Sequence, residues 1–436
     1  MGRDPLADFY KGLRFDGAAE YRKLIDTVLG KLESHYYDAD LGGDHGLVVG
    51  SIGRGTAVAG ASDVDLLFDL PKDEYQRYDD YDGNGQTALL QDVKGVLEER
   101  YPQTEMRGDG QAVVIEFKNP KITIELVPAF LQTDGSYKYP DTHSGGSWKK
   151  TDPVPEQDAC IALFKKTEDE GLHLCNALRV WKNNTGFKFK GLLIDTLVND
   201  FFEEGDRAQP CGFDDRYDIL IDLFELLTEQ SCDKSYWHAL GSNQKIYNND
   251  GGVFIRKARK AKKMLSAAES REEREDALID LFGRRFADCV DVSSSERALA
   301  SKYLVKDTEQ FVEDEFGVDI RYRLAIDCRV TQKGFRTCLL RDMLSKHTLL
   351  PVGKSLEFYV TDCDVPEPYY IYWKVRNVGE AAYRRDNIRG QIVMDEGKHR
   401  RKESTRFCGP HFVECYAMKN GVCVARTRID VPIDNK

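Results

Sequence analysis

The period of the hydrophobic residues changes along the first 130 residues of the chain. From about Ala18 to Tyr37 the apolar positions recur at helical spacing, which predicts an amphipathic helix. The segments that follow are short and apolar or alternating, as in strands. We predict strands over Leu47–Val49, Val64–Leu70, Val113–Phe117 and Ile122–Phe130, with the last two joined as a hairpin through 118–121.

Beyond a polar loop at 142–151 the pattern becomes helical, and from Leu356 to the end it alternates as in strands. Asn420-Gly421 is typical of a type I′ hairpin turn. Together these patterns predict an α+β protein with a sheet-containing region at 1–150, a helical half at 151–300, a connector at 301–350 and a small β-rich domain at 351–436. The predicted helices of the middle region are Ala159–Glu168, Leu172–Lys182, Leu192–Phe202, Tyr217–Thr228, Val253–Ser266 and Glu273–Phe286.

Composition narrows the class of protein. A chain of 436 residues is longer than one hydrophobic core usually supports, which predicts more than one domain. A composition of 41% apolar and 31% charged residues is typical of a soluble globular protein. The charged N-terminus lacks the apolar region of a signal peptide, and no apolar run has the length of a membrane span, so we expect a cytoplasmic protein without a membrane partner.

The 11 cysteines contain no CxxC pair, which argues against a disulfide framework or a zinc site. A net charge of -12 disfavours a stable nucleic-acid partner.

Candidate chemistry begins at the turn after the first strand. Gly50 lets the backbone approach a phosphate closely, and the Ser51 hydroxyl adds a hydrogen-bond donor. Twelve residues later, Asp63 and Asp65 lie two apart on a strand and therefore point to the same face. Like charges held so close favour a cation between them, and paired carboxylates with phosphates are a common magnesium site.

A third carboxylate follows on a later apolar strand. Glu125 has apolar neighbours on both sides, which predicts a mostly buried strand, and a buried carboxylate requires a metal or cation partner. Glu116, on the preceding strand, is the competing candidate, and a salt bridge is the alternative explanation for either residue.

Gly-Ser, Asp-x-Asp and a later strand acid together resemble the polymerase-beta-like nucleotidyltransferase superfamily. The resemblance implies that Asp63, Asp65 and Glu125 are catalytic residues and ligands of two Mg²⁺ ions, with Mn²⁺ as a substitute. These ions align an attacking hydroxyl with an α-phosphate and stabilise the leaving pyrophosphate. Glu125 is the residue expected to help deprotonate that hydroxyl.

A finer resemblance rests on GSIGRGTAVAGASDVDLLFDL, ITIELVPAF and ALRVWKNNTGFKFKGLLIDTLV. These stretches are similar to the bacterial CD-NTases of CBASS anti-phage defence, which build cyclic di- or trinucleotides from ATP, GTP or other NTPs. The resemblance implies nucleotide contacts at Gly50 and Ser51 and in the helical half. Further implied contacts are Arg179, where the family has a lysine, Lys190 with Lys182 as an alternative, and Asp250. The basic run 256–263 is predicted to be a solvated helix face.

The C-terminal segments FYVTDCDVPEPYYIYWKVRNVGEAA, IRGQI and GPHFVECYAMKNGVCVAR resemble the AGS-C domain attached to such synthases. That resemblance implies a ligand for this domain, a product-activated effector protein and a bacterial cytoplasmic enzyme. Tyr370, Tyr372 and Trp373 are candidates for base stacking, with a core role as the alternative. The competing functions are a nucleotidyltransferase acting on RNA ends or a protein, and a nucleotide-binding sensor without turnover.

Overall fold

The computed structural model describes residues 4–38, 42–205, 209–290, 309–332, 336–377, 389–405 and 409–433. The chain divides into two compact units, one of Met1–Trp181 with Lys190–Cys289 and one of Lys182–Phe189 with Val290–Lys436. Helices and strands are both abundant, which confirms the predicted α+β class. The boundary predicted near residue 300 lies outside the described residues.

A mixed sheet forms the base of the first unit. Strands β2 and β5 are parallel neighbours in its centre, and the remaining pairs are antiparallel. The order is β1-β2-β5-β4-β3, with β6 paired to β5 and β7 to β6. The strands are β1 Gly46–Val48, β2 Asp63–Asp69, β3 Glu105–Asp109, β4 Ala112–Lys118, β5 Lys121–Leu131, β6 Tyr137–Asp141 and β7 Ser147–Thr151.

Two helices cover one face of this sheet; the first is the predicted amphipathic helix, and the second is an addition to the predicted elements. They are α2 (Ala18–Tyr36) and α5 (Gly85–Arg100), and their apolar residues share a core with the even-numbered residues of β2. Because side chains alternate along a strand, the odd-numbered Asp63 and Asp65 lie on the opposite face. The core therefore determines which face of β2 is left for chemistry. Shorter helices in this region are α1 Pro5–Gly12, α3 Gly50–Gly53 and α4 Lys72–Asp79.

The helical half follows, with α1 packed against it through Phe9, whose ring lies 4.7 Å from that of Phe282. The helix predicted over 273–286 is divided, because Gly283 adopts φ +69° and ψ -151°, which no helix allows. The elements are α6 Pro153–Lys166, α7 Glu170–Thr185, α8 Gly191–Glu203, α9 Phe213–Glu229, β8 Tyr236–His238, β9 Lys245–Tyr247, α10 Val253–Ala267, α11 Arg271–Phe282 and α12 Arg284–Ala287.

Helix α10 carries the basic run and is amphipathic, with Phe254, Ile255 and Ala258 buried. Most of its cations are exposed, whereas Lys257 and Lys262 are half-buried, and Lys262 pairs with Glu225 of α9. This arrangement agrees with the predicted solvated helix face. No helix of the described residues is both long enough and apolar enough to cross a membrane.

Two sheets form the second unit, in the orders β10-β18-β17-β14-β15 and β12-β11-β13-β16. Their apolar faces share one core that includes Phe358 and Trp373. The elements are α13 Val312–Glu315, β10 Gly317–Val318, β11 Leu324–Thr331, β12 Cys338–Leu339, α14 Leu340–Ser345, β13 Ser355–Cys363, β14 Tyr370–Asn377, β15 Arg389–Met394, β16 Arg400–Ser404, β17 Gly409–Lys419 and β18 Val422–Ile433.

The segment 301–350 is predicted as a connector, but its described residues include strands of the second unit. Strand β11 pairs along its length with β13, so this segment belongs to the sheets of the second unit. Its alternation is broken by an irregularity between Ala325 and Ile326, which obscures the strand in the sequence. The predicted hairpin is present, since Asn420 and Gly421 both have positive φ between β17 and β18.

Candidate active site

Three carboxylates lie on two neighbouring parallel strands, on the face opposite the helices α2 and α5. Asp65 on β2 is in register with Glu125 on β5, and Asp63 precedes Asp65 by two residues. Adjacent strands are about 4.8 Å apart, so in-register side chains on one face are direct neighbours. All three residues are half-buried. The fold thus brings together the acids that the sequence predicts as catalytic.

The Gly50–Ser51 turn lies directly against Asp65. The Val49 amide donates to the Asp65 carbonyl oxygen at 2.9 Å, which fixes the turn to β2. Gly50 has φ +64°, and a Cβ added there would lie 1.8 Å from Asp65 Oδ2. A side chain at this position would displace the carboxylate, so glycine is required both by conformation and by space.

Glu116, the competing third acid, has a different environment. It lies on β4, one strand further from Asp65 than Glu125. Its Oε1 is 2.5 Å from Nη1 of Arg107, so its charge is balanced within the sheet. The structure therefore places Glu125, and not Glu116, beside Asp65.

The donor set suits a hard divalent cation. Carboxylate oxygens are the ligands that Mg²⁺ prefers, and Gly50 leaves open the space beside Asp65 Oδ2. Within the part of the chain that the structure describes, no group of three or more His, Cys, Asp or Glu side chains is arranged to hold a metal ion. The fit therefore rests on the shared face and register of Asp63, Asp65 and Glu125.

Arg179, predicted as a phosphate contact, is buried on α7 and faces Asp195 of α8. Its Nη1 lies 2.7 Å from Asp195 Oδ1, and its Nη2 donates to Oδ2 at 2.9 Å. Burial alone would lower the pKa of Arg179, but the Asp195 carboxylate raises it. The guanidinium thus forms a buried ion pair with Asp195. The sequence alone does not identify this partner.

Lys182, the alternative cation, belongs to the second unit. Its Nζ donates to Asp319 Oδ1 at 2.6 Å and to the carbonyl oxygen of Ile320 at 2.9 Å, and the residue is buried. Burial alone would raise the pKa of Asp319, but the ammonium group holds it well below its usual range. This lysine therefore has an ion-pair role in the second unit.

Lys190 and Asp250 lie near strand β9. Lys190 is the N-cap residue of α8, and its Nζ donates to the carbonyl oxygen of Tyr247 at 2.7 Å. Asp250 is exposed in the loop after β9 and accepts from the Gly252 amide at 3.1 Å. Tyr247 itself is 56% exposed, a feature that sequence alone did not single out. Its alternation with buried Ile246 on β9 was the available signal.

In the second unit, the three aromatic candidates have different environments. Trp373 is buried and donates from Nε1 to Asp395 Oδ1 at 3.0 Å. Tyr372 packs edge-on against Phe316, with ring centroids 5.5 Å apart, whereas Tyr370 is 58% exposed. Trp373 therefore has the core role that was the alternative to base stacking.

Comparison with known families matches both ends of the chain. Residues 4–162 match the Second Messenger Oligonucleotide or Dinucleotide Synthetase (SMODS) domain, and residues 306–434 match the Adenylyl/Guanylyl and SMODS C-terminal sensor domain. The first of these matches places the N-terminal region in the class of second-messenger oligonucleotide or dinucleotide synthetases. The chain belongs to the CD-NTases and carries a C-terminal AGS-C domain.

Individual relatives are distant. The chain is 25% identical over 107 residues to a protein of Bacillus cereus (strain VD146) named "probable cyclic nucleotide synthase", a match of 24% of this chain. It spans about a third of that relative's length. CdnC of E. coli MS115-1 has the same fold at 16% identity. The structure of CdnC in complex with HORMA-deltaN has a TM-score of 0.51 and covers 65% of this chain and 97% of CdnC. The structure of CdnC with ATP has a TM-score of 0.50 and covers 65% of this chain and 98% of CdnC.

Proposed function

We propose that this protein joins NTPs, with ATP and GTP as the expected substrates, into a cyclic di- or trinucleotide. The observation that carries the proposal is the packing of the Gly50–Ser51 turn against Asp65, with Glu125 in register beside it. This juxtaposition puts a phosphate-holding turn next to a carboxylate pair. The E. coli relative whose structure contains ATP supports a nucleoside triphosphate as the ligand.

Each residue at this site has a role that its position supports. Asp63 and Asp65 would hold two Mg²⁺ ions, with Glu125 as the third ligand. When bound, such ions supply charge that activates the attacking hydroxyl and stabilises the leaving pyrophosphate. The Ser51 hydroxyl and the turn amides orient the triphosphate. Glu125 accepts the proton of the attacking hydroxyl, and repetition of the reaction by the linear product closes the ring.

The predicted contacts in the helical half differ in how well their positions suit an NTP. Lys190 is half-buried at the start of α8 and is the cation we assign to the phosphates. The exposed Tyr247 ring beside it offers a surface for base stacking, which is worth about 1–3 kcal/mol per base. Asp250 lies in the loop that follows β9, and we assign it to a contact with the nucleotide. Arg179 and Lys182 are assigned to the ion pairs described above.

The second unit contains a cavity suited to a ligand. A space of about 500 Å³ lies between its two sheets, within the size range of small-molecule sites. Its walls include Phe358 and Val375, and its polar groups include His411, Arg389 and Glu403. We assign the ligand of the AGS-C domain to this cavity. Filling it by Val375→Phe should abolish binding in a native mass-spectrometry screen of nucleotides, and unchanged binding would place the ligand elsewhere.

The wider role follows from class membership. A cyclic nucleotide made by a bacterial cytoplasmic enzyme of this class would activate an effector protein in CBASS anti-phage defence. The HORMA-deltaN complex of the E. coli relative supports a protein partner for the synthase as well. Plaque assays in cells that carry the synthase with its neighbouring genes test this role, since Asp65→Asn should remove protection.

The reaction is tested by incubating the purified protein with labelled NTPs and Mg²⁺ or Mn²⁺, then treating with phosphatase and analysing the products by mass spectrometry. A phosphatase-resistant cyclic product that is lost in Asp63→Ala/Asp65→Ala supports the proposal. A labelled RNA or protein would indicate the alternative nucleotidyltransferase activities, and binding without product would indicate a sensor.

A further inference from the structure

A buried ionic cluster joins the phosphate-holding turn to the start of α8. Asp195 has no exposed surface, and three donors surround it, namely Arg54, Thr56 and Arg179. Arg54 Nε donates to Asp195 Oδ2 at 2.9 Å, and Thr56 Oγ1 lies 3.2 Å from the same oxygen. Arg179 Nη2 approaches that oxygen to 2.9 Å from the side of α7.

The cluster reaches the turn through Thr56. The Thr56 amide donates to the Ser51 carbonyl oxygen at 2.8 Å, and the Arg54 amide donates to the Gly50 carbonyl oxygen at 3.1 Å. Both residues that contact Asp195 from this side are therefore bonded to the two residues that hold phosphate. Asp195 is thus connected to Gly50 and Ser51 through Arg54 and Thr56.

The same cluster reaches the start of α8. Arg179 Nη2 lies 3.2 Å from the carbonyl oxygen of Gly191, which follows Lys190 directly. Asp195 itself is on the second turn of α8, so the carboxylate and the backbone of Gly191 are fixed to one guanidinium. Lys190 and the Gly50–Ser51 turn thus share one buried anchor, although they are about 140 residues apart in the sequence.

Stability alone is a weak explanation for this cluster. With Glu156, which lies 3.9 Å from Arg54, the cluster contains four buried charges. Burying them costs several kcal/mol of desolvation for each ion, and apolar residues of similar volume often replace such clusters without loss of stability. The ionic cluster instead provides geometric specificity, because an Arg–carboxylate pair with two parallel contacts holds the two side chains in one relative orientation. The same-charge neighbours Arg54 and Arg179 also require Asp195 between them.

We propose that Asp195 is a positioning residue, whose carboxylate fixes the Gly50–Ser51 turn relative to Lys190 so that both contact one triphosphate. The assignment of the triphosphate rests on the proposed function, whereas the anchoring of the turn does not. The prediction is that loss of the anchor loosens the turn first and weakens triphosphate binding as a consequence.

The test uses the full-length protein with Asp195→Asn, with Thr56→Val and with a control, Asp222→Asn, which changes an exposed aspartate of α9. Thr56→Val is nearly isosteric and removes only the hydroxyl between Asp195 and Ser51, so it decides the outcome if Asp195→Asn does not fold. Hydrogen exchange is followed by mass spectrometry for peptides that cover 49–56 and α9. Binding is measured by calorimetry with α,β-methylene ATP and GTP, whose α–β linkage is not cleaved.

We expect exchange at 49–56 to become at least about tenfold faster in the folded anchor variants, with α9 unchanged, and both analogues to bind about tenfold more weakly. The control should match the wild type in both measurements. The proposal would be overturned if hydrogen exchange at 49–56 in a folded Thr56→Val protein were as slow as in the wild type. It would also be overturned if exchange became faster while the affinity for both analogues stayed unchanged. A wild-type protein that binds neither analogue would refute the proposed function, while faster exchange at the turn would still establish the anchor.

Discussion

Gly50→Ala is the substitution for which the structure gives the clearest magnitude. The added Cβ would lie 1.8 Å from Asp65 Oδ2, and real Cβ contacts shorter than 3.0 Å are essentially never seen. The carboxylate must therefore move by at least about 1.2 Å. A misplacement of about 1 Å at a reacting centre costs about 10²-fold in rate. We expect kcat for NTP consumption to fall about 100-fold.

The effect of Gly50→Ala on stability should be much smaller. Alanine in a left-handed conformation costs about 1–2 kcal/mol, which lowers Tm by roughly 2–4 °C per kcal/mol in a unit of this size. Gly55→Ala is the matched control, because Gly55 has φ +71° and an added Cβ would meet only Phe164 Cε2 at 3.7 Å. Both variants carry the same backbone strain, but only Gly50→Ala displaces Asp65.

The assay is initial-rate release of pyrophosphate at saturating NTP and Mg²⁺, with Tm from differential scanning fluorimetry. We expect equal losses of Tm in the two variants and a loss of kcat in Gly50→Ala alone. A Gly50→Ala protein whose kcat is within about threefold of that of Gly55→Ala would refute the assigned packing of the turn against Asp65.

Three further predictions concern charged residues. Lys190→Ala should raise KM for NTPs about tenfold with kcat nearly unchanged, whereas Lys260→Ala on the exposed side of α10 should change neither, as steady-state kinetics will show. Burial alone would raise the pKa of Asp195, but its arginine partners lower it below the unfolded value of about 4, so its stabilisation is present at neutral pH and is lost as pH falls. Urea unfolding should therefore show a gap between wild type and Asp195→Asn at pH 7 that narrows towards pH 3. Glu414→Gln removes the buried carboxylate that pairs with the half-buried Arg426, so it should destabilise the second unit by about 3 kcal/mol, and an unchanged urea-unfolding transition of that unit would contradict this.

The carboxylate site could be predicted because its signals are local. Asp63 and Asp65 share a face by strand alternation, and Gly50 follows a strand that must end near them. The choice of Glu125 over Glu116 required the resemblance, because both acids lie on apolar strands and only the pairing of β2 with β5 separates them. Strand order is a tertiary property that alternation does not encode.

The cations of the helical half could not be predicted in the same way. Arg179 and Lys182 lie at helical positions typical of an exposed contact, but their partners are Asp195, on the next helix, and Asp319, which is 137 residues further along the chain. Helical spacing shows which residues share a face and does not show what packs on it. The division of a predicted helix at Gly283 has a local cause that the glycine itself signals.

The central claim is that Asp63, Asp65 and Glu125 form the catalytic centre of a cyclic-nucleotide synthase. Its most direct test is mass spectrometry of phosphatase-treated products from wild type, Glu125→Gln and Glu116→Gln, each incubated with all four NTPs and Mg²⁺ or Mn²⁺. We expect a cyclic nucleotide from wild type and from Glu116→Gln, and none from Glu125→Gln in a folded protein. Equal product from Glu125→Gln, or no cyclic product from the wild type with either metal, would contradict it.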